Sequence, residues 1–162
     1  MPSYSILRLG DFLVNHGAIT AEQRDLILEE QRVAGRPFGQ LAERMFGVSA
    51  ETVERAWAEQ YAAMAAPIDP RREEIDEHAL TFLTRRQAWQ FRMMPLRFEN
   101  DELLVCTTKE HLVRALKFAG WKLGHPAFFA LSDPRQLADA LQRHFPMDGM
   151  GLNFVLSDAT AA

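Results

Sequence analysis

The sequence is poor in several features that would mark it as a secreted, zinc-binding or membrane protein. It has one cysteine, Cys106, among 162 residues, which excludes an internal disulfide framework and a cysteine-rich zinc site. Its longest apolar run, residues 62–68, is far shorter than the roughly 18 residues that span a bilayer. The N-terminus lacks a basic segment followed by an apolar one, so no signal peptide is predicted. We therefore expect a soluble, cytoplasmic chain that does not insert into a membrane.

The net charge and the missing motifs argue against nucleic-acid binding and catalysis. Lysine and arginine number 18 against 22 acidic residues, whereas a nucleic-acid-binding domain needs a basic face. No G-x-x-x-x-G-K-[ST] phosphate loop, G-x-G-x-x-G, G-x-S-x-G or H-E-x-x-H motif occurs. The five histidines are scattered and lack the spacing of metal ligands. We predict a folded protein that is not an enzyme, holds no metal and binds no nucleic acid polymer.

The first part of the sequence repeats itself after a shift of 29 residues. Residues 19–22 (ITAE) match residues 48–51 (VSAE), and Leu9-Gly10 matches Phe38-Gly39. A repeat of this length indicates a duplicated supersecondary unit. Each copy is predicted to form a short helix, a turn and a longer helix.

The longer helix of each copy has its own start signal. Thr20 and Ser49 are favoured N-cap residues, because their hydroxyl oxygens can accept from free backbone N–H groups. Apolar residues recur at helical spacing after each of them, which predicts helices over 21–33 and 50–64. We therefore predict that residues 1–64 form four helices in two tandem hairpins.

The second part of the sequence, residues 67–145, changes from a helical to a mixed pattern. Its predicted strands are residues 94–98, 103–107 and 127–131, and its predicted helical segments are residues 73–92, 111–121 and 134–145. Thr107 and Glu110 predict a capping box before the middle helix. The order α-β-β-α-β-α predicts a small α+β domain, and thus an α+β fold class for the chain. Residues 146–162 are expected to form a flexible tail.

The repeat contains a longer motif that resembles a known family. Copy one runs over 24 residues as Arg8-Leu9-Gly10, Leu13-Val14, Gly17, Ala18-Ile19, Leu28 and Gln31. Five residues separate it from a second 24-residue run, residues 37–60. Two such motifs with a five-residue spacer resemble the MshEN family, the amino-terminal domains of the ATPases that power type II secretion and type IV pili. Residues 67–145 resemble the small α+β domain that follows in those ATPases.

The resemblance implies that the duplicated segment binds cyclic di-GMP, and that it acts as a regulatory or adaptor protein. The implied ligand-binding residues are Arg8, Leu9, Gly10, Leu13, Leu28 and Gln31 in copy one, and Phe38, Gly39, Trp57 and Gln60 in copy two. Arg36 would replace an arginine that copy two lacks.

Each implied residue has a chemical role to offer and an ordinary structural alternative. Arg8 can pair with phosphate or lie on a guanine face, Gly10 lets a ligand approach the backbone, and Gln31 offers a donor and an acceptor. The leucines can contact ribose and base, and Phe38 or Trp57 can stack on a base. In the alternative interpretation, the leucines are core residues, Gly10 is a close helix crossing, and the polar side chains are solvated.

The sequence also departs from the family motif. In copy one, Arg24 stands at a position that is leucine in the family motif. In copy two, Pro37 stands at the position of the motif arginine, and Glu43 stands at one position of the motif's aliphatic pair. The alternative function is therefore a nucleotide-free module that docks to a secretion or pilus component. The family ATPases continue into a motor with a phosphate loop, which this sequence lacks, so we expect a stand-alone protein or a fragment.

Overall fold

The computed structural model describes residues 7–52 and 68–158. The strands are β1 (Leu7–Arg8), β2 (Met94–Glu99), β3 (Glu102–Thr108) and β4 (Ala127–Ser132). The helices are α1 (Leu9–Asn15), α2 (Ala21–Ala34), α3 (Phe38–Phe46), α4 (Glu77–Leu80), α5 (Arg85–Gln90), α6 (Leu112–Trp121), α7 (Pro134–His144) and α8 (Leu152–Leu156). Two short 3₁₀ helices cover Pro70–Arg72 and Lys109–His111. The predicted α+β class and the three predicted strands are confirmed.

The helical start of the chain follows its local sequence signals. The Thr20 hydroxyl accepts from the Gln23 backbone N–H at 3.1 Å, and the Gln23 side chain accepts from the Thr20 N–H at 2.8 Å. Gly35, with φ of +67°, ends α2 in the left-handed conformation that favours glycine. The Ser49 hydroxyl accepts from the Thr52 N–H at 3.1 Å, as predicted for an N-cap. The rest of the helix predicted over 50–64 lies outside the described residues.

A four-stranded sheet joins the two parts of the described chain. Its strand order is β1-β4-β3-β2, in which β2 and β3 form an antiparallel hairpin and β3 and β4 are parallel. Strand β1, from the N-terminal segment, pairs antiparallel with β4. The sequence predicts a helical segment at Leu7–Arg8, because two residues are too few to show the alternating pattern of a strand. This pairing places the start of α1 beside the edge of the sheet.

One hydrophobic core is shared by both parts of the described chain. Leu13, Ile27 and Leu41 from the N-terminal helices belong to the same buried cluster as Trp89 and Phe128 from the α+β layer. Leu41 is 2% exposed, and the other four residues are fully buried. Helix α3 also packs directly on α6. The domains predicted at 1–64 and 67–145 therefore share a core.

The segment predicted to be a flexible tail contains a packed helix. Val155 of α8 is fully buried, and the Phe154 ring lies 6.2 Å from the Trp89 ring, edge to face. The Arg92 guanidinium donates to the carbonyl groups of Phe154 and Ser157, both at 2.7 Å. The prediction of a flexible tail is thus wrong for this stretch, because a few apolar side chains and a buried arginine hold it.

The capping box predicted at Thr107 and Glu110 is also wrong. Thr107 lies inside β3 with a fully buried side chain, since the strand runs one residue further than expected. A 3₁₀ turn then precedes α6, and the Thr108 hydroxyl lies 2.8 Å from Nδ1 of His111.

Candidate functional site

A cleft of about 290 Å³ lies between the N-terminal helices and the α+β layer. Four residues that the motif singles out line it: Gly10 of α1, Leu28 and Gln31 of α2, and Phe38 of α3. The opposite wall includes Asn100, in the turn between β2 and β3, together with His125, Ala127 and Phe129. The cleft is therefore built from segments that are distant in the sequence.

Gln31 is a buried polar residue of this cleft. It is only 1% exposed, and neither Nε2 nor Oε1 forms a hydrogen bond with any described residue. It shares one face of α2 with Arg24 and Leu28, because positions i, i+4 and i+7 lie along the same side of a helix. A buried amide without partners loses its hydrogen bonds to water without replacement. Gln31 thus offers one donor group and one acceptor to a group placed in the cleft.

Arg24 brings a positive charge to the cleft and is held in place by ion pairs. Its Nη1 donates to Oδ1 of Asp11 at 2.7 Å, and its Nε donates to Oδ1 of Asp25 at 3.3 Å. Burial lowers the pKa of Arg24, but its hydrogen bonds and charge interactions with Asp25 and Asp11 outweigh this and raise it. The guanidinium is therefore charged and held between two carboxylates.

Gly10 allows Arg24 to occupy this position. A Cβ added to Gly10 would lie 2.7 Å from Cγ of Arg24 and 3.2 Å from Cζ of Phe38. Both distances are shorter than ordinary van der Waals contacts, so an alanine here would displace the arginine stem. Gly10 thus makes room for the Arg24 side chain beside the cleft.

Other residues of the predicted site lie outside the cleft lining. Leu13 is fully buried in the core. Gly39 faces α6, where an added Cβ would lie 2.6 Å from the Trp121 ring and 2.7 Å from the Gly120 carbonyl oxygen. Arg36 is exposed in the connection between α2 and α3. Gly39 is therefore a packing glycine in the described structure.

Four predicted site residues either are described by their backbone alone or lie outside the described part of the chain. Arg8 belongs to β1, where its backbone pairs with Phe128, and Leu9 is the first residue of α1. The side chains of both are outside the description. Trp57 and Gln60 lie wholly outside the described residues. Their roles stay predictions.

The acidic residues of the cleft and the residues of its opposite wall were not predicted from the sequence. Asp11 and Asp25 are neighbours of motif positions, but nothing in their spacing marks them as partners of Arg24. Asn100 adopts a positive φ of +52° in the β2–β3 turn. Such a turn was predicted as a hairpin loop, but its approach to α2 depends on tertiary packing. Only the assembled fold brings these residues to the site.

Metal binding and thiol chemistry find no support among the described residues. Within them, no group of three or more His, Cys, Asp or Glu side chains could hold a metal ion. Burial raises the pKa of the Cys106 thiol to about 12, against a smaller lowering by its hydrogen bond with Ser132. This thiol is therefore protonated at neutral pH. In the same residues, every helix is too short or too polar to cross a bilayer.

A family model for the MshEN domain matches residues 61–151, which is more than half of the chain. The chain belongs to the MshEN domain family. The match covers the α+β part, which the sequence analysis compared with the domain that follows the duplicated segment in those ATPases. Both 24-residue motifs lie outside the match, so their assignment stays a prediction.

The chain is also similar to a solved structure described as MshE with cdg. The two are 22% identical, the alignment covers 85% of this chain and 98% of that one, and the TM-score is 0.43. A search of the curated proteins finds no match to the chain.

Proposed function

We propose that this MshEN chain binds cyclic di-GMP in the cleft and acts as a regulatory protein without catalysis of its own. One observation carries the proposal. Gly10, Leu28, Gln31 and Phe38, singled out by a motif that resembles the family's cyclic di-GMP motif, meet at one cleft. Gln31 adds a buried amide whose two polar atoms have no partner among the described residues.

The cleft offers complementary chemistry to part of such a ligand. The Gln31 amide can donate to a carbonyl and accept from an N–H on a guanine edge. Leu28 and Phe38 supply apolar surface, against which a base can lie. Stacking of a base on an aromatic side chain contributes about 1–3 kcal/mol.

A ligand in the cleft would touch both parts of the chain. One wall is formed by α1, α2 and α3, and the other includes the hairpin turn and β4. A ligand that contacts both walls favours the arrangement in which they are close, because it binds that arrangement more tightly. Regulation would then consist of a change in how the α+β layer meets a protein partner, such as a secretion or pilus component.

Isothermal titration with cyclic di-GMP tests the proposal, with cyclic di-AMP and GTP as control ligands. Saturable binding in the micromolar range or tighter is expected for the wild type. The variant Gln31→Ala should lose this binding, whereas Gln40→Ala, an exposed glutamine on α3, should retain it. No binding by the wild type, or equal binding by Gln31→Ala, would contradict the proposal.

A second candidate function is docking of a protein partner without nucleotide. It is favoured by two apolar side chains that α2 exposes, Leu26 at 56% and Val33 at 77%. Their spacing of seven residues places them on one face of the helix. The test is a pull-down with the wild type and with the double variant Leu26→Ser/Val33→Ser. A specific partner captured only by the wild type supports docking at this face, and equal capture by both contradicts it.

A further inference from the structure

Among the described residues, the charges of the side chains that line the cleft nearly cancel. Asp11, Asp25 and Glu102 carry negative charge, and Arg24 and Arg32 carry positive charge. A site built for phosphate alone would have an excess of positive charge. This lining instead suits a neutral group that presents donors and acceptors side by side. A nucleobase edge is such a group.

The Arg24 guanidinium is presented to the cleft in a fixed orientation. Its side chain is 29% exposed, and its stem packs on Gly10. Asp11 accepts from Nη1 and Asp25 accepts from Nε, and among the described residues no other group accepts from Nη2 or the second proton of Nη1, so these can donate to a ligand. The two carboxylates retain oxygen atoms that can accept. An arginine held in this way forms bidentate hydrogen bonds without first having to be ordered.

Guanine is the base that matches this arrangement. Its O6 and N7 atoms both accept, and an arginine fork pairs with them in the commonest base-specific contact of proteins. Its N1–H and N2–H₂ groups donate, and carboxylate or amide oxygens can accept from them. Adenine has an amino donor in place of O6, so it would face the Arg24 donors with a donor of its own.

The size of the cleft limits what enters it. Ligand pockets commonly have volumes of about 300–1,000 Å³. At about 290 Å³ this cleft lies just below that range. It therefore suits one base and its sugar better than a whole cyclic dinucleotide. The buried Gln31 amide would meet the same base.

We propose that Arg24, held by Asp11 and Asp25, makes the cleft a site for a single guanine base and selects guanine over adenine. The proposal rests on the cleft of the proposed function, but the guanine can belong to a cyclic dinucleotide or to a mononucleotide. Arg24 occupies a position that is leucine in the motif that the sequence resembles. The selectivity would therefore be a property that this chain has in addition to that motif.

The test measures the affinities of four ligands: GMP, AMP, cyclic di-GMP and cyclic di-AMP. They are titrated up to millimolar concentration into the wild type, Arg24→Met, Arg24→Lys and Arg44→Met. Arg24→Met keeps an unbranched stem over Gly10, and the exposed Arg44 of α3 provides the matched control. A thermal melt of each variant confirms that it is folded.

The wild type should prefer guanine ligands over adenine ligands by about tenfold or more, the discrimination typical of a good bidentate pair. Arg24→Met should reduce the preference to less than about threefold. Arg24→Lys should retain an intermediate preference, because it keeps the charge but loses the fork. Arg44→Met should leave the preference unchanged.

Three results would overturn the inference. These are a wild type that binds no guanine ligand, a preference that survives in Arg24→Met, and tighter binding of all ligands by Arg24→Met. The last would show that Arg24 merely fills the cleft. If GMP binds with an Arg24-dependent preference and cyclic di-GMP does not bind, the proposed function fails and this inference stands. If cyclic di-GMP binds with a preference that does not depend on Arg24, the reverse is true.

Discussion

The substitution Gln31→Met should stabilise the unliganded protein while abolishing ligand binding. Gln31 is 1% exposed, and both of its amide atoms lack hydrogen-bond partners among the described residues. Methionine has a side chain of nearly the same length and shape but carries no group that needs a partner. The substitution therefore removes an unfavourable burial and leaves the packing almost unchanged.

The expected size of the effect follows from the cost of an unsatisfied buried polar group. That cost is about 1–3 kcal/mol, and volume-conserving substitutions lose less than about 1.5 kcal/mol by repacking. We expect the free energy of unfolding of Gln31→Met to rise by roughly 1–2 kcal/mol. In a chain of this size, 1 kcal/mol shifts the melting temperature by about 2–4 °C.

Guanidinium unfolding of the wild type, Gln31→Met and Gln40→Met measures this difference. The exposed Gln40 should give a change within about 0.5 kcal/mol. Ligand at one hundred times its dissociation constant should stabilise the wild type by about 2.7 kcal/mol and should not stabilise Gln31→Met. If Gln31→Met lowers the free energy of unfolding by 1 kcal/mol or more, the amide has a structural role and the reasoning is refuted.

Three further substitutions or reactions test the described fold. Gly39→Ala places a methyl group 2.6 Å from the Trp121 ring, so guanidinium unfolding should show a loss of ~1–3 kcal/mol; unchanged stability would mean that α3 can shift freely on α6. Cys106, with a pKa raised to about 12 by burial, should react with a thiol reagent at pH 8 only after unfolding, and rapid labelling of the native protein would contradict its burial. Arg92→Met removes the donors to the Phe154 carbonyl, so hydrogen exchange in α8 should accelerate; unchanged protection would show that other contacts hold the helix.

Local signals in the sequence were sufficient to predict most of the regular structure. Thr20 and Gly35 set the ends of α2 through hydrogen bonds within a few residues, and β2 and β3 are joined by a short hairpin loop. Such features depend on neighbours in the sequence, so they can be recognised without knowledge of the fold. The repeated motif likewise predicted four residues that line the cleft: Gly10, Leu28, Gln31 and Phe38.

The rest depends on contacts between distant segments. Strand β1 has two residues, and its pairing with β4 spans more than one hundred residues of sequence. The approach of Asn100 and His125 to α2 likewise follows from packing of the helices on the sheet. Arg24 is visible in the sequence as a departure from the motif, but its two carboxylate partners are not. The family match falls on residues 61–151, whereas both copies of the motif that suggested the family lie before them.

The most direct test of ligand binding in the cleft is the response of the Gln31 side-chain amide in a ¹H–¹⁵N spectrum. Its resonances can be assigned by their loss in Gln31→Met. Addition of cyclic di-GMP should shift them and slow their exchange with water, because the ligand provides the missing hydrogen-bond partners. If cyclic di-GMP causes no change in the spectrum, or shifts other resonances and leaves those of Gln31 in place, the ligand does not bind in this cleft.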